Sequence, residues 1–312
     1  MATQDTTAGA QPAPIRLRAE GRRWGEDVIK GLLALCALVS VATTVGIVIA
    51  LLQPSLEFFR EVSIVDFFSG ERWAPLFEPA SFGVRPLLAG TLAVTFWACV
   101  VALPLGLGAA VYLSEYAPPR VRRTLKPALE VLAGIPTVVF GFFALTFFTP
   151  LLQDIGINVG IFNVLSAGLV MGVMLIPTVA SVSEDAMSAV PQELRDGAYG
   201  LGASKLQVAT RIVIPAAVSG IVASYVLAIS RAVGETMIVL IAAGGLAQLT
   251  LDPREPAQTM TAFIGATGLG DVPTGSLEYK TIFAVGLTLF VLTFAMNIIS
   301  IRLVRKYREI YE

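Results

Sequence analysis

Two charged side chains, four residues apart in a long apolar run, are the residues of this 312-residue chain best suited to chemistry. They are Arg231 and Glu235, in the run from about 216 to 243. A charge at the centre of a membrane helix costs about 2.5–3.5 kcal/mol on insertion scales and is by default a functional candidate. A guanidinium offers a planar fork of donors that matches oxyanion oxygens. The pattern indicates an anion pathway, in which Glu235 positions Arg231 or weakens anion binding. A buried ion pair that only fixes helix packing is the alternative.

The residues near this pair indicate whether its helix face contacts lipid, protein or a water-filled pathway. At i and i+4 of one helix, positions 231 and 235 share a face, and the two charges are expected to neutralise each other in part. The same face carries Ser224, which forms a small-residue stripe with Gly220 and Ala228. Such stripes allow close helix packing in membranes. The face is therefore predicted to look toward protein or a water-filled pathway, and Ser224 is a further pathway candidate.

Several kinds of chemistry are excluded by the residues that are missing. The chain has no histidine, which removes histidine-based catalysis and most zinc and haem sites. Its two cysteines, Cys36 and Cys99, lie in apolar runs and cannot form a disulfide framework. The phosphate-binding loop Gly-x4-Gly-Lys-Ser/Thr is also missing. We therefore expect no catalytic residue, metal or cofactor in this chain, and its net charge of −1 gives no reason to expect nucleic acid.

The elements that must hold Arg231 and Glu235 are predicted from apolar runs. The chain is 55% apolar and only 14% charged, which argues against a soluble protein. A helix of about 20 apolar residues crosses the hydrocarbon core of a bilayer. The runs argue against membrane strands, because they are continuous rather than alternating and are longer than a barrel strand. We predict an all-α integral membrane protein in contact with lipid, with six transmembrane helices at 31–52, 86–113, 131–152, 159–182, 216–243 and 281–301.

The orientation follows from the distribution of lysine and arginine. Sixteen of the 22 basic residues lie in the N-terminal tail 1–30, the loop between spans two and three, the loop 183–215 and the C-terminal tail 302–312. By the positive-inside rule these segments are cytoplasmic, so both termini are predicted to be cytoplasmic and 53–85 to be an external loop. In the third span, Gly134 and Pro136 predict a kink, either static or a gating hinge.

The loop 183–215 contains a predicted helix, a glycine turn and a second helix. Pro191 can open the first helix, and Glu193 follows near the positive end of its dipole. Gly200 and Gly202 then provide the turn. Asp196-Gly197-Ala198, followed by Gly202 and later Pro215, resembles the EAA loop of ABC importer permeases, with aspartate in place of glutamate.

This resemblance implies that a short helix in the loop docks onto a separate cytoplasmic ATPase. The residues it implicates are Glu193, Asp196, Gly197, Ala198, Tyr199, Gly202, Ala203 and Pro215. An ordinary cytoplasmic hairpin without a partner is the alternative.

A second motif points to a narrower family. The stretch Arg231-Ala-Val-Gly-Glu-Thr-Met237 resembles the signature of the C permease of Pst high-affinity phosphate importers. The resemblance implies a type I ABC importer permease fold over 86–301 in a bacterial cytoplasmic membrane, and adds Thr236 to the pathway. It also implies a sister permease, a dimeric ATPase that binds ATP and magnesium, and an external phosphate-binding lipoprotein.

Four alternatives stay open at this point. The chain could be the permease of another oxyanion importer, such as one for sulfate or molybdate, or the sister A permease of a phosphate importer. It could also be a self-sufficient secondary anion transporter, or a membrane scaffold or sensor. The loop resemblance argues against the transporter that needs no ATPase. The stretch from Arg231 to Met237 is the sequence feature that favours phosphate.

Overall fold

The computed structural model describes residues 24–306, so most of the predicted tails 1–30 and 302–312 lies outside the described residues. The chain divides into two compact units, residues 1–49 and 50–312. The first helix, α1, spans Trp24–Glu61, and its part from Ala50 onward belongs to the second unit.

The remaining elements are helices, apart from one two-stranded hairpin. They are α2 (Ile64–Ser69), β1 (Trp73–Ala74), β2 (Ser81–Phe82), α3 (Arg85–Val111), α4 (Pro119–Ala133), α5 (Thr137–Phe143), α6 (Thr149–Asp154), α7 (Val164–Ser188), α8 (Gln192–Gly200), α9 (Lys205–Val208), α10 (Ile214–Ala216), α11 (Val218–Val233), α12 (Met260–Gly268) and α13 (Leu277–Lys306). Four π-helical turns adjoin them at Tyr112–Tyr116, Ala144–Phe148, Ala209–Val213 and Val239–Ala243.

Five helices are long and apolar enough to cross a membrane, within residues 24–306. They are Gly25–Glu61, Arg85–Tyr116, Thr137–Asp154, Val164–Ser188 and Leu277–Arg302. A sixth span results if Lys205–Ala216 and Val218–Val233, which meet at a bend of 72°, are counted as one. The prediction of an all-α, multi-pass membrane protein is confirmed, although the boundaries of all six spans differ from those predicted.

The third span begins later than predicted. Residues 131–133 complete α4, and Gly134 and Pro136 lie at the junction with α5 rather than inside a span. Proline disfavours helical backbone at the residue before it, so Ile135 is not helical: α4 ends at Ala133 and α5 begins at Thr137. Both gating candidates therefore lie between two helices instead of at a kink within one.

The predicted continuous span 216–243 is wrong. Helix α11 ends at Val233, residues 234–236 are not helical, and a short helical segment then runs from Met237 through the turn Val239–Ala243. Glycine is a poor helix former, and Gly234 stands at the position where α11 stops. The predicted loop 183–215 is also partly helical at its start, because α7 continues to Ser188.

Helix α7 is the most buried of the spans and lies against α3. Its glycines make this close packing possible. A Cβ atom added at Gly172 would lie 2.7 Å from the backbone oxygen of Ala98, and one at Gly168 would lie 2.6 Å from the Cβ of Trp97. Small residues therefore allow α3 and α7 to approach closely. This is usual in membranes, where the hydrophobic effect does not drive helices together.

Three aromatic residues of segment 53–85 belong to a hydrophobic core that they share with α3, α12 and α13. Phe58, Phe67 and Trp73 are buried, and Trp73 packs edge-to-face against Phe263 of α12 with ring centroids 4.9 Å apart. This arrangement is the favourable one for aromatic pairs. The segment is consequently anchored to α12 through this core.

Candidate functional site

Arg231 lies in the last turn of α11 with an exposed side chain. Its Nη1 donates a hydrogen bond to Oγ1 of Thr178, on α7, at 3.2 Å. Over residues 24–306, Arg231 forms no ion pair with a carboxylate. The guanidinium thus keeps most of its donors available for an anion.

Glu235 lies in the break after α11 and is buried. Its Oε1 accepts hydrogen bonds from the backbone N–H groups of Met237 at 3.0 Å and Ile238 at 3.3 Å. The first N–H groups of a helix have no partner within the helix, and a carboxylate there also meets the positive end of the helix dipole. Glu235 therefore caps the short helix that begins at Met237.

The expected neutralising pair between Arg231 and Glu235 is absent from the described part of the chain. The expectation assumed that both residues stand on one helix, where positions i and i+4 are neighbours. Because the backbone leaves the helix after Val233, the two residues no longer share a face. The two residues therefore differ in their contacts: the guanidinium of Arg231 is available to an anion, whereas the carboxylate of Glu235 is bound to backbone N–H groups.

This arrangement predicts unequal effects of two substitutions at position 235. Glu235→Ala removes the cap and is expected to destabilise the protein by about 0.5–2 kcal/mol, the usual cost of losing a capping side chain. Glu235→Gln keeps an oxygen acceptor and is expected to cost less than half as much. Thermal unfolding of the purified protein in detergent measures both. Equal losses for the two variants would contradict the capping role.

The break after α11 is also held from the opposite side by α12. Oγ1 of Thr261 donates to the backbone oxygen of Glu235 at 2.6 Å. Thr236, a predicted pathway residue, is half-buried, and its methyl group lies against Gly265, where an added Cβ would be 3.4 Å away. The role of Thr261 could not be predicted from the sequence, because Thr261 is 26 positions from Glu235 and lies in the segment predicted to be a loop between the last two spans.

Ser224, the remaining pathway candidate, is fully buried between two helices. Its hydroxyl is 2.7 Å from that of Ser183, on α7, and it donates to the backbone oxygen of Ile221. Gly220, one turn earlier, packs so closely on Ala186 that an added Cβ would lie 2.3 Å from the Ala186 Cβ. The small-residue stripe thus packs α11 against α7, and Ser224 lines no accessible surface of this chain.

The predicted helix, glycine turn and helix are present in the loop. Pro191 directly precedes α8, Glu193 lies in its first turn, and Gly202 has φ +82°, in the region that favours glycine. Ser204 and Gln207 then form a reciprocal capping box at α9. Ala203 donates its backbone N–H to the oxygen of Ala198, which closes the turn.

The surface of this loop carries polar and apolar side chains together. Asp196 accepts a hydrogen bond from Gln192 at 3.0 Å and is exposed, as is Gly197. Leu201 is 91% exposed and Tyr199 39%. Leu201 also lines a cavity of about 360 Å³ together with Ala198, Gly202 and neighbouring residues, so this surface is accessible to a partner. Pro215 lies in α10, at the end of the loop.

A charged cluster joins α4 to the end of α7 and was not foreseen. Glu184 is almost completely buried and forms ion pairs with Arg122 and with Lys126, the latter at 2.7 Å. Lys126 also pairs with Asp185 at 2.9 Å. The hydrogen bonds to Glu184 and Asp185 raise the pKa of Lys126 above its ordinary value, so the amine stays charged. The amphipathic helix α4 is thereby tied to the end of a span.

Within residues 24–306, five or six helices able to cross a membrane, an arginine at a break in one of them and a helical hairpin between two of them fit a multi-pass membrane permease. The family of binding-protein-dependent transport system inner membrane components matches residues 102–309, well over half of the chain. The chain belongs to this family.

Curated relatives cover most of the chain. The probable ABC transporter permease protein YqgH of Bacillus subtilis is 34% identical over 91% of this chain and 93% of its own length. The phosphate transport system permease protein PstC of Haemophilus influenzae is 31% identical over 92% and 95%, and PstC 1 of Mycobacterium tuberculosis is 35% identical over 73% of both chains. The resemblance seen in the motifs is therefore confirmed.

Solved structures support the fold. A permease chain of a bacterial alginate ABC transporter superposes with a TM-score of 0.62 at 16% identity, covering 91% of this chain and 98% of the other. A chain of the MetNI methionine ABC transporter, in an inward-facing conformation, superposes with a TM-score of 0.55 at 19% identity, covering 73% and 95%. The chain has the fold of an ABC importer permease.

Proposed function

We propose that this chain is the permease subunit of an ATP-driven importer of inorganic phosphate. The observation that carries the proposal is its similarity, along nine-tenths of its length, to a permease named for phosphate transport. The geometry of Arg231 supports it, because within residues 24–306 its guanidinium forms no ion pair with a carboxylate, and such an arginine is suited to bind a tetrahedral oxyanion.

Arg231 is the residue we assign to the anion pathway. Its hydrogen bond to Thr178 fixes one edge of the guanidinium and leaves other donors free. Thr236 and Glu235 shape the break beside it, with Glu235 acting through the backbone. The broken span places irregular backbone beside a charged group, which membrane proteins tolerate where the backbone lies in protein or lines a water-filled cavity.

The energy for transport is proposed to come from a partner. The sequence has no phosphate-binding loop for ATP, so a dimeric ATPase would bind ATP and magnesium and dock on the loop around Asp196–Ala203. A sister permease would complete the pathway, and an external binding lipoprotein would deliver phosphate. The proposal includes cytoplasmic termini, the division into tails, first span and permease core given above, and no cofactor held by this chain.

The decisive test is uptake of labelled phosphate by proteoliposomes that contain this chain, the sister permease and the ATPase, with binding protein added. We expect uptake that requires ATP and is not reduced by a hundredfold excess of sulfate or molybdate. Labelled sulfate, measured in parallel, serves as the control substrate. Uptake of sulfate in preference to phosphate, or phosphate uptake by this chain without the ATPase, would refute the proposal.

A further inference from the structure

Arg195 of α8 is a buried arginine that the proposed coupling interface does not use. Its side chain is only 10% exposed, although α8 lies in a soluble loop. Nη2 donates to Oε1 of Glu115 at 3.1 Å and to the backbone oxygen of Met187 at 2.8 Å, while Nη1 donates to the backbone oxygen of Val190 at 2.5 Å. One guanidinium therefore joins three parts of the chain.

Each of these partners stands where a transmembrane helix ends. Glu115 lies in the π-helical turn Tyr112–Tyr116 that continues α3, and its side chain is 5% exposed. Met187 belongs to the last turn of α7, where backbone oxygens lack partners within the helix and the dipole is negative. A buried carboxylate beside these backbone oxygens requires a cation. The guanidinium of an arginine can donate to the carboxylate and to the backbone oxygens at the same time.

This contact is the polar connection between α8 and the spans. Among the described residues, every side-chain hydrogen bond that links α8 to another element comes from Arg195. The other polar side-chain contact of α8, between Gln192 and Asp196, is internal. Arg195 therefore provides a polar contact from α8 to the ends of α3 and α7, in addition to the backbone of residues 189–191 that joins α7 to α8.

We propose that the ion pair between Arg195 and Glu115 is a mechanical link that transmits movement of α8 to the ends of α3 and α7. Arg195 is a positioning residue that contacts neither substrate nor ATPase. The inference rests on the proposed function, in which an ATPase moves this loop. Breaking the link leaves the docking surface of α8 in place but loosens its attachment to the spans.

The test compares phosphate moved per ATP hydrolysed in the reconstituted complex, for Arg195→Gln, Glu115→Gln and the double variant. We expect each single variant to lower this ratio at least fivefold and the double variant to be no worse than the poorer single variant, because both remove the same contact. Arg195→Lys, which keeps the charge, is expected to recover part of the ratio. Arg123→Gln is the matched control, since Arg123 is exposed and makes no ion pair within residues 24–306.

The outcomes separate this inference from the proposed function. If the wild-type complex moves no phosphate, the proposed function fails. If the wild-type complex does move phosphate, but the variants lower assembly and leave the ratio of transport to hydrolysis unchanged, the ion pair is structural and the proposed link is refuted. Loss of assembly in both Arg195→Gln and Glu115→Gln would likewise assign the pair to folding and overturn the inference.

Discussion

Replacing Arg231 with alanine is expected to lower phosphate uptake roughly a hundredfold. A hydrogen bond to a charged group is worth about 1.5–3 kcal/mol, and a guanidinium that offers two such bonds to an oxyanion therefore supplies at least about 3 kcal/mol. A loss of that size corresponds to roughly a hundredfold in a binding or rate constant. Uptake of labelled phosphate by cells that lack the endogenous permease, complemented with each variant, measures the effect.

Two further variants separate charge from geometry at this position. Arg231→Lys keeps the charge but loses the fork, so uptake is expected to fall about tenfold. Thr178→Val removes only the hydrogen bond that orients the guanidinium, and a loss of a few-fold is expected. Arg123→Ala removes an exposed cation elsewhere and should leave uptake unchanged. Wild-type uptake by Arg231→Ala, at equal amounts in the membrane, would exclude Arg231 from the pathway.

Replacing Gly202 with valine is expected to abolish phosphate uptake while the two permeases still assemble. The backbone of Gly202 has φ +82°, a conformation in which a β-branched residue is a rare outlier. The left-handed conformation costs an L-residue about 1–2 kcal/mol, so the turn between α8 and α9 is expected to open. The strain is purely conformational, because an added Cβ at Gly202 meets no atom within 4 Å. Co-purification of the ATPase with the permease pair, followed by uptake, measures the result.

Gly197→Ala is the matched control for Gly202→Val. Gly197 lies in the same loop, inside α8, and an added Cβ there also meets no atom within 4 Å, but its φ is not positive. Gly197 lies in the proposed docking loop, but alanine is the residue that the EAA pattern has at this position, so Gly197→Ala should stabilise this helix by about 0.8–1 kcal/mol and leave uptake intact. Normal ATPase association and normal uptake by Gly202→Val would show that the turn is not required for coupling.

The spans and the loop could be predicted because they depend on local properties. A run of about 20 apolar residues is sufficient to predict a membrane helix, whatever packs against it. The turn at Gly202 could be predicted for a similar reason, since the glycines interrupt an otherwise helical pattern and the backbone conformation observed there is one that favours glycine. The charge distribution predicted an orientation, which stays a prediction.

The partners of the candidate side chains could not be predicted in the same way. Arg231 and Glu235 look like an ion pair in the sequence, but Gly234 ends the helix between them and the carboxylate caps the next turn. Ser224 has the spacing of a pathway residue, yet its hydroxyl meets Ser183, which is 41 positions away. The ion pair was wrongly predicted because the span was assumed to be one continuous helix, and the face that carries Ser224 lies against α7.

By itself, therefore, the sequence predicted the membrane helices and the helical hairpin between two of them, and it singled out Arg231 as the candidate for binding an oxyanion. These depend on composition and spacing within one segment. Only the tertiary structure decided that Glu235 is bound to backbone, that Ser224 packs α11 against α7, and that Arg195 meets Glu115 from 80 positions away. The reason is that a side-chain contact depends on where the backbone bends and which helices become neighbours, and neither is encoded in the local pattern of residues.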